Sequence, residues 1–531
     1  PPWAMPNGGG KKPQLVRAML EPDFYPHAPR SVELCETHIS WVFLAGELVY
    51  KVKKPVVLPF LDYGTIERRH QMCLEEVRLN RRLAPALYLG VVAIVRSADG
   101  YSLTSDDHGG AVEFAVQMRR VQVDRSLAAL AASGELESAH ITAVARRLAC
   151  FHAEAPIVAP DHGVESLVAT LEENLATLRE AGAEVLDERR LSAAERFTRS
   201  FLVAQRDELD ARSQGGLVRD CHGDLRAEHV IVPAHRSVYV YDCVEFKPEL
   251  RQIDVAVDIS FLVMDLTRLG LERFAFQLID AYRRAGGDPG DDALLSFFAS
   301  YRAWVRAKIA CLRALELAVE DPGRSRQQTE AIGLLSLGHW FAWRARRPLA
   351  LLVCGVAGAG KTTLAHELCK LSGWPHISSD VTRKRLAGLA PTDRGGEALY
   401  GHESTTLTYR EMGRATRQEL EGRGGVIVDA TFHRHAERAA FRSGLGDQPA
   451  RTLFVECRAS PATLLARAGE RESIADRVSD ADAAVIQRQL AEFEPLAEIP
   501  ADQRTELGTE APPDELAAEV EGFIDRSIWG G

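Results

Sequence analysis

Residues 38–58 read HISWVFLAGELVYKVKKPVVL. Two apolar, β-branched runs flank Ala45-Gly46, the pattern of a hairpin, and alternation sets Lys51 and Lys53 on one face of the second strand. Thr65–Ala84 is charged but places Ile66, Cys73, Val77 and Leu83 at roughly helical spacing before Pro85, which predicts a helix. Tyr88–Val95 and Ala111–Met118 read as strands. From Asp124 to about Asp210 the pattern is mostly helical; a strand–loop–strand unit follows at Leu217–Phe246, and helical patterns resume to about Arg344. Arg347-Pro348 closes this region. An apolar strand (Leu349–Cys354), a glycine-rich turn and a helix (Thr363–Leu371) then open an alternation of strands and helices, the signature of a parallel α/β sheet. No internal repeat is visible.

Composition adds limits. At roughly 150 residues per domain, 531 residues predict three or four folding units. With 46% hydrophobic and 26% charged residues the chain reads as an ordinary soluble protein. No window approaches the ~18 apolar residues of a membrane span; the best, Val255–Leu266, contains Asp258 and Asp265. The opening PPWAMPNGGGKK lacks an apolar signal core and reads as a tag remnant or loose leader. Nine scattered cysteines without a C-x-x-C pair suit reduced thiols in a cytoplasm better than disulfides or a zinc site.

The net charge of −11 is unevenly placed. Residues 491–531 carry −9, with eleven acids against Arg504 and Arg526, whereas residues 361–490 sum to +2. The lack of a strongly basic surface argues against a nucleic-acid partner unless the acidic tail folds away.

Gly355-Val-Ala-Gly-Ala-Gly-Lys-Thr362 matches G-x-x-x-x-G-K-[ST] between a buried strand and a helix. Gly355, Gly358, Gly360, Lys361, Thr362 and Thr363 form the predicted cradle. Its backbone N–H groups would face phosphates, Lys361 would neutralise them and Thr362 would reach Mg²⁺. The second strand leads to Asp380, with Arg383 in the next turn. An acid there can take a hydroxyl proton while the arginine stabilises charge on the transferring group. Asp429 ends the third strand as a candidate for Mg²⁺-water or for orienting Arg383. Arg467, Arg471 and Arg477 follow the fourth strand (Thr452–Cys457), where arginines suit a lid over phosphates.

On GVAGAGKTT, SSDVTRK and VIVDATF, residues 348–531 resemble the small P-loop (AAA-type) kinases grouped with gluconate, shikimate and polynucleotide kinases and zeta-type toxins. The resemblance implies phosphoryl transfer from ATP to a hydroxyl, with Asp380 as base.

Cys221-His222-Gly223-Asp224-Leu225 is followed eighteen residues after Asp224 by Asp242, in YDCVEF. Two acids placed this way can meet across a small hairpin, one as base and one as metal ligand. With VYKVKKPV and CLEEVRLNRRLAP, these motifs make residues 31–340 similar to the aminoglycoside-phosphotransferase-like branch of the protein-kinase-like fold. The resemblance implies Asp224 as base, Asp242 on Mg²⁺, Lys51 on the α/β-phosphates and paired with Glu76, and Phe114–Met118 as the hinge beside adenine. Lys53 with Glu75 is the alternative pair. No G-x-G-x-x-G loop is visible, so His38–Gly46 would have to serve by backbone alone. His229 stands where the family carries an Asn that takes a second Mg²⁺. Imidazole is the poorer donor for that ion. Metal binding is then altered, Glu228 substitutes, or the domain is a degraded kinase. Asp254 and Asp258 read as helix-start and packing acids.

The expected architecture is an α+β two-lobed protein-kinase-like domain followed by an α/β P-loop NTPase domain with a parallel sheet. It divides into an entry segment (1–30), an N-lobe (31–120), a helical C-lobe (121–346) and the P-loop domain (347–531). The expected function is a cytoplasmic, bifunctional small-molecule kinase with ATP and Mg²⁺ as cofactors. A small hydroxyl acceptor and nucleotide are its partners, with no membrane. The alternatives are a P-loop kinase regulated by an N-terminal pseudokinase, and a nucleotide-dependent switch.

Overall fold

Strand Leu48–Lys53, central to the first sheet, has Val49, Tyr50, Val52 and Lys53 buried, with Lys51 partly open. It pairs antiparallel with Ser40–Ala45 on one side and with Ala111–Arg119 on the other, forming the expected hairpin. Val32–Glu36, Tyr88–Ser97 and Gly100–Thr104 complete a six-stranded sheet, every pairing antiparallel. The computed structural model describes residues 12–58, 61–97, 100–104, 110–158, 164–234, 237–390, 392–393, 397–472 and 483–530. Its contacts divide the chain into two compact units: residues 1–167 with 209–290, and residues 168–208 with 291–531.

In the first unit, helix Ile66–Asn80 starts where the Thr65 side chain accepts the Arg68 N–H. It buries Cys73, Val77 and Leu79, and Cys73 and Val77 pack with Val49, Phe114 and Val116 of the sheet. The entry segment adds to the core, because Val16, Met19 and Tyr25 pack with Phe43, Tyr50 and Ile94. Beyond the sheet lie helices Leu127–Ala132, Ser138–Glu154, Val255–Arg268 and Glu272–Arg284. Two short antiparallel pairs accompany them: Val218–Asp220 with Gln252–Asp254, and Val230–Ile231 with Tyr239–Val240. An antiparallel sheet with one covering helix is thus followed by a mainly helical part. Val255–Arg268, the most apolar stretch, is buried along thirteen of its fourteen residues as a core helix. No helix among the described residues is long and apolar enough to cross a membrane.

The second unit is built on a parallel five-stranded sheet in the order His376–Ser378, Gly425–Asp429, Leu349–Cys354, Arg451–Arg458, Arg504–Gly508. All six residues of Leu349–Cys354 are buried, as a central strand covered on both faces requires. Leu351 and Val353 face helices Lys361–Ser372 and Pro513–Trp529, while Ala350 and Leu352 face Tyr409, Met412 and Phe441. The last strand and helix carry the acidic tail. Asp525 and Glu521 meet Arg346 in a buried ion triad, and Asp514 and Glu515 pair with Arg189. Much of the −9 is thus matched inside the unit. Helices Glu188–Ala204, Asp292–Glu316 and Pro322–Ala345 also belong here, with Phe201 stacked on Phe297 at 4.1 Å and edge-on to Trp529.

His339, buried beside Trp304, has its pKa pulled down to about 3 by burial and then by Arg190 and Arg346. A depressed histidine contributes stability that is complete above its unfolded pKa of about 6.5 and is lost as the pH falls. This group alone removes about 2 kcal/mol between pH 7.5 and pH 5. Urea unfolding at both pH values should show the full drop in the wild type and a smaller one in His339→Leu.

Candidate active sites

The second strand and the helix behind it converge on one carboxylate. Lys51 Nζ lies 2.9 Å from Glu76 Oε1, and Lys53 Nζ lies 2.7 Å from Glu76 Oε2. Glu75 points elsewhere, to Arg78 and Arg251. Alternation could not separate the lysines because both face the same helix; their second partners do. Lys51 donates to Asp242 Oδ1 at 3.1 Å, whereas the fully buried Lys53 donates to Glu245 Oε1 at 2.5 Å, which also accepts from Tyr63. Burial works against both ammonium groups, but the surrounding carboxylates outweigh it and hold both pKa values well above the usual lysine range. Asp242 is held low despite burial, chiefly by Lys51. It sits at φ +65°, a left-handed conformation uncommon outside glycine. Asn80 Oδ1 accepts the next N–H, that of Cys243, at 2.9 Å.

Asp258 organises the turn carrying Asp224. Its oxygens accept the His222 and Gly223 N–H groups at 3.1 and 2.8 Å, and His152 Nε2 lies 3.1 Å from it. Gly223 has φ +87°, and a Cβ there would meet the Leu250 carbonyl at 2.8 Å. His152, Cys221 and Asp258 have metal-like spacing, but those hydrogen bonds, the Tyr282 hydroxyl on His152 Nδ1 and the Cys221 thiol's bond to the Ile253 carbonyl already occupy them. Asp254 does start a helix, capping Ala256 N–H and binding Arg212.

Around Asp224, Arg226 Nε lies 3.0 Å from both carboxylate oxygens, and Nη1 pairs with Glu228. Arg226 Nη2 lies 3.0 Å from His229 Nε2, and His229 Nδ1 lies 2.9 Å from the Asp224 carbonyl. A guanidinium only donates and a carbonyl only accepts, so the contacts match the Nε2 lone pair to Arg226 and an Nδ1 proton to the carbonyl. Arg226 was not singled out in the sequence; its signal was a basic residue two places after Asp224. Met118 is buried on strand Ala111–Arg119, opposite Val49 and Tyr88. Phe114, on the same strand, stacks on His70 at 3.7 Å.

In the second unit the loop between Leu349–Cys354 and Lys361–Ser372 has Gly355, Gly358 and Gly360 at φ +127°, +83° and +85°. A Cβ on Gly355 would collide with the Cys457 carbonyl. Lys361 Nζ arches back to the Val356 carbonyl at 3.0 Å. Thr362 Oγ1 donates to Asp429 Oδ2 at 2.6 Å, and exposed Thr363 follows it on the helix. Hard oxygen donors of this kind suit Mg²⁺. Asp429 contacts Thr362 and, at 3.7 Å, His376 Nε2. Arg383 instead donates to the Leu399 carbonyl and Thr405 Oγ1 and lies over the Tyr400 ring. Asp380 opens helix Ser379–Leu386 beyond the strand His376–Ser378. Burial first, then Asp429, raise its pKa against the pull of Lys361, Arg383 and Lys384. Arg467 reaches the Gly358 carbonyl at 3.4 Å and Thr509 Oγ1 at 3.1 Å. The Arg471 side chain and all of Arg477 lie outside the described residues. Gln489 Oε1, which no motif announced, accepts the Ala357 N–H at 2.8 Å.

The uncharacterised protein Rv2004c of Mycobacterium tuberculosis is 31% identical over 469 residues, covering 86% of this chain and 90% of the relative; Mb2027c of Mycobacterium bovis matches to the same extent. The chain belongs to their family. Within this family member, residues 351–496 match the AAA domain model AAA_33, a range that contains the whole P-loop, Gly355–Thr362. Among solved structures, a gluconokinase from Sinorhizobium meliloti is 20% identical, covering 34% of this chain and 95% of that one with a TM-score of 0.27. The GDP complex of aminoglycoside 2'-phosphotransferase-IIIa is 18% identical, covering 60% and 96%, with a TM-score of 0.33.

Replacing Lys53 with Met leaves Glu76 and Glu245 facing each other in a buried site. It should cost about 3–5 kcal/mol in urea unfolding. A loss below about 1 kcal/mol would show that water replaces the ammonium there.

Proposed function

We propose that this protein is a bifunctional small-molecule kinase that transfers the ATP γ-phosphate to a hydroxyl of a small metabolite, sugar or aminocyclitol, with one Mg-ATP site in each half. The observation that carries the proposal is the meeting of Lys51, Glu76 and Asp242, from three separate elements, within 3.1 Å. The Thr362–Asp429 pair beside a glycine-formed phosphate loop is its counterpart in the second unit.

In the N-terminal site Glu76 orients Lys51 toward the α/β-phosphates, Asp242 offers its carboxylate to the cation, and Asp224 takes the acceptor proton. In the C-terminal site the loop amides and Lys361 hold the phosphates, Thr362 and Asp429 face the cation, and Asp380 is the base. Burial and Asp429 raise its pKa, which makes it a stronger base than an ordinary carboxylate. Arg383 positions the segment around Leu399–Thr405 next to that base. Arg467 braces the loop from behind, and Arg471 and Arg477 are assigned to closure over phosphate. Bound Mg²⁺ would draw charge from the phosphate oxygens in both sites. The functional division follows 31–120, 121–346 and 347–531, with Phe114–Met118 beside the adenine.

A second reading, in which the N-terminal site is a pseudokinase regulating the P-loop half, draws on the two committed nitrogens of His229. Asp224→Asn separates the two, because it abolishes one of two transfer activities in the first reading and leaves the single transfer activity in place in the second.

A ³¹P NMR screen of hydroxylated metabolites and aminoglycosides with wild type, Asp224→Asn, Lys361→Ala and Asp380→Asn tests the assignment. Lys361→Ala should nearly abolish C-terminal transfer. Asp380→Asn should keep nucleotide affinity and lose on the order of 10²–10⁴ in rate. Full kcat in Asp380→Asn removes it as the base.

A further inference from the structure

Arg226 lies at the centre of the N-terminal acids, with its side chain only 15% exposed. Nε and Nη2 hold the two oxygens of Asp224, with Nη2 2.9 Å from Oδ2, and Nη1 holds Glu228. Nη2 also occupies His229 Nε2, whose partner nitrogen already donates to the Asp224 carbonyl. The imidazole therefore presents no free lone pair. Glu228, the other residue that could replace the missing asparagine, is bound to the same guanidinium. Asp242, 3.7 Å from His229 Nε2, is the remaining carboxylate and bears on the same cluster through Lys51. The residues fit a metal ion at Asp242 and do not fit a second one at His229.

We infer that the guanidinium of Arg226 supplies the fixed positive charge that a second metal ion provides in two-metal kinases, so that the N-terminal site takes a single divalent cation, at Asp242. The inference rests on reading Asp224 and Asp242 as a phosphotransfer site. It gives the histidine a reason. An asparagine oxygen at position 229 would be a second acceptor open to a cation. The imidazole instead holds the arginine through Nε2 at 3.0 Å and fixes it against Asp224. A guanidinium is always charged and matches carboxylate and phosphate geometry through its planar fork. Placed between Asp224 and Glu228 it neutralises the acids that would otherwise attract the second ion. Charge compensation at this site is then part of the fold and independent of the free metal concentration.

The test counts metal. In the full chain carrying Lys361→Ala and Thr362→Ala, which disable the other nucleotide site, Mn²⁺ binding with saturating AMP-PNP is followed by EPR. One Mn²⁺ per chain is expected. Adding Arg226→Ala with His229→Asn should raise the count to two. Arg226→Gln with His229→Asn, which retains side-chain length and amide donors, serves as a second variant if the first does not fold by circular dichroism. Two Mn²⁺ in the parent chain overturn the inference and leave the phosphotransfer reading standing. No Mn²⁺ at all overturns both. A count that stays at one in the folded variants also overturns the inference, because Arg226 is then not what excludes the second ion.

Discussion

The N-terminal site depends on one carboxylate shared by two ammonium groups. Glu76 is 1% exposed on its side chain, and its two oxygens face Lys51 and Lys53. A buried charge is tolerated only when paired, and if the helix bearing Glu76 left the sheet Lys51 and Lys53 would each lose one of two carboxylate partners, keeping only Asp242 and Glu245. The surrounding contacts reinforce this. Arg251 reaches Glu75 on the same helix, Asn80 receives Cys243 N–H, and Arg82 just beyond the helix holds the carbonyls of Asp220 and Cys221. The helix, the loop carrying Asp242 and the turn carrying Asp224 are thus tied together through side chains.

The second unit solves the same problem with main chain. Its phosphate cradle is made of glycines in left-handed conformations, packed so tightly that Gly355 has no room for a Cβ beside Cys457. Side chains serve as fasteners: Thr362 on Asp429, Gln489 on Ala357 N–H, Arg467 on Thr509. Pre-formed dipoles need no counter-ion, whereas the first unit must balance each buried charge individually.

This difference explains what could be read from the sequence. The glycine loop was legible because backbone conformation leaves a local trace, and Thr362 and Asp429 followed from their places on strand and helix. The Lys51–Glu76 pairing was legible as a pattern but not as a choice, since Lys53 has the same facing. What separates them, Asp242 against Glu245, comes from residues about 190 positions away. Asp429 was open to two readings, Mg²⁺-water or orientation of Arg383; the Arg383 bonds to Leu399 and Thr405 are set by chain packing that no spacing encodes. Strand Val32–Glu36 lacked an alternation clear enough to announce it. Nor did periodicity reveal that helices Glu188–Ala204 and Pro322–Ala345 share a contact unit with the parallel sheet.

Helix Pro513–Trp529 adds a temporal constraint. Arg189 finds Asp514 across 325 residues of chain, Arg346 finds Asp525 across 179, and Phe201 waits for Trp529. During synthesis these groups leave the ribosome long before their partners exist. An arginine with no counter-charge and an aromatic face with no cover must persist in solution until helix Pro513–Trp529 is made. Closure of this unit therefore waits on helix Pro513–Trp529, and until that helix exists the apolar and cationic surface it covers stays open to solvent.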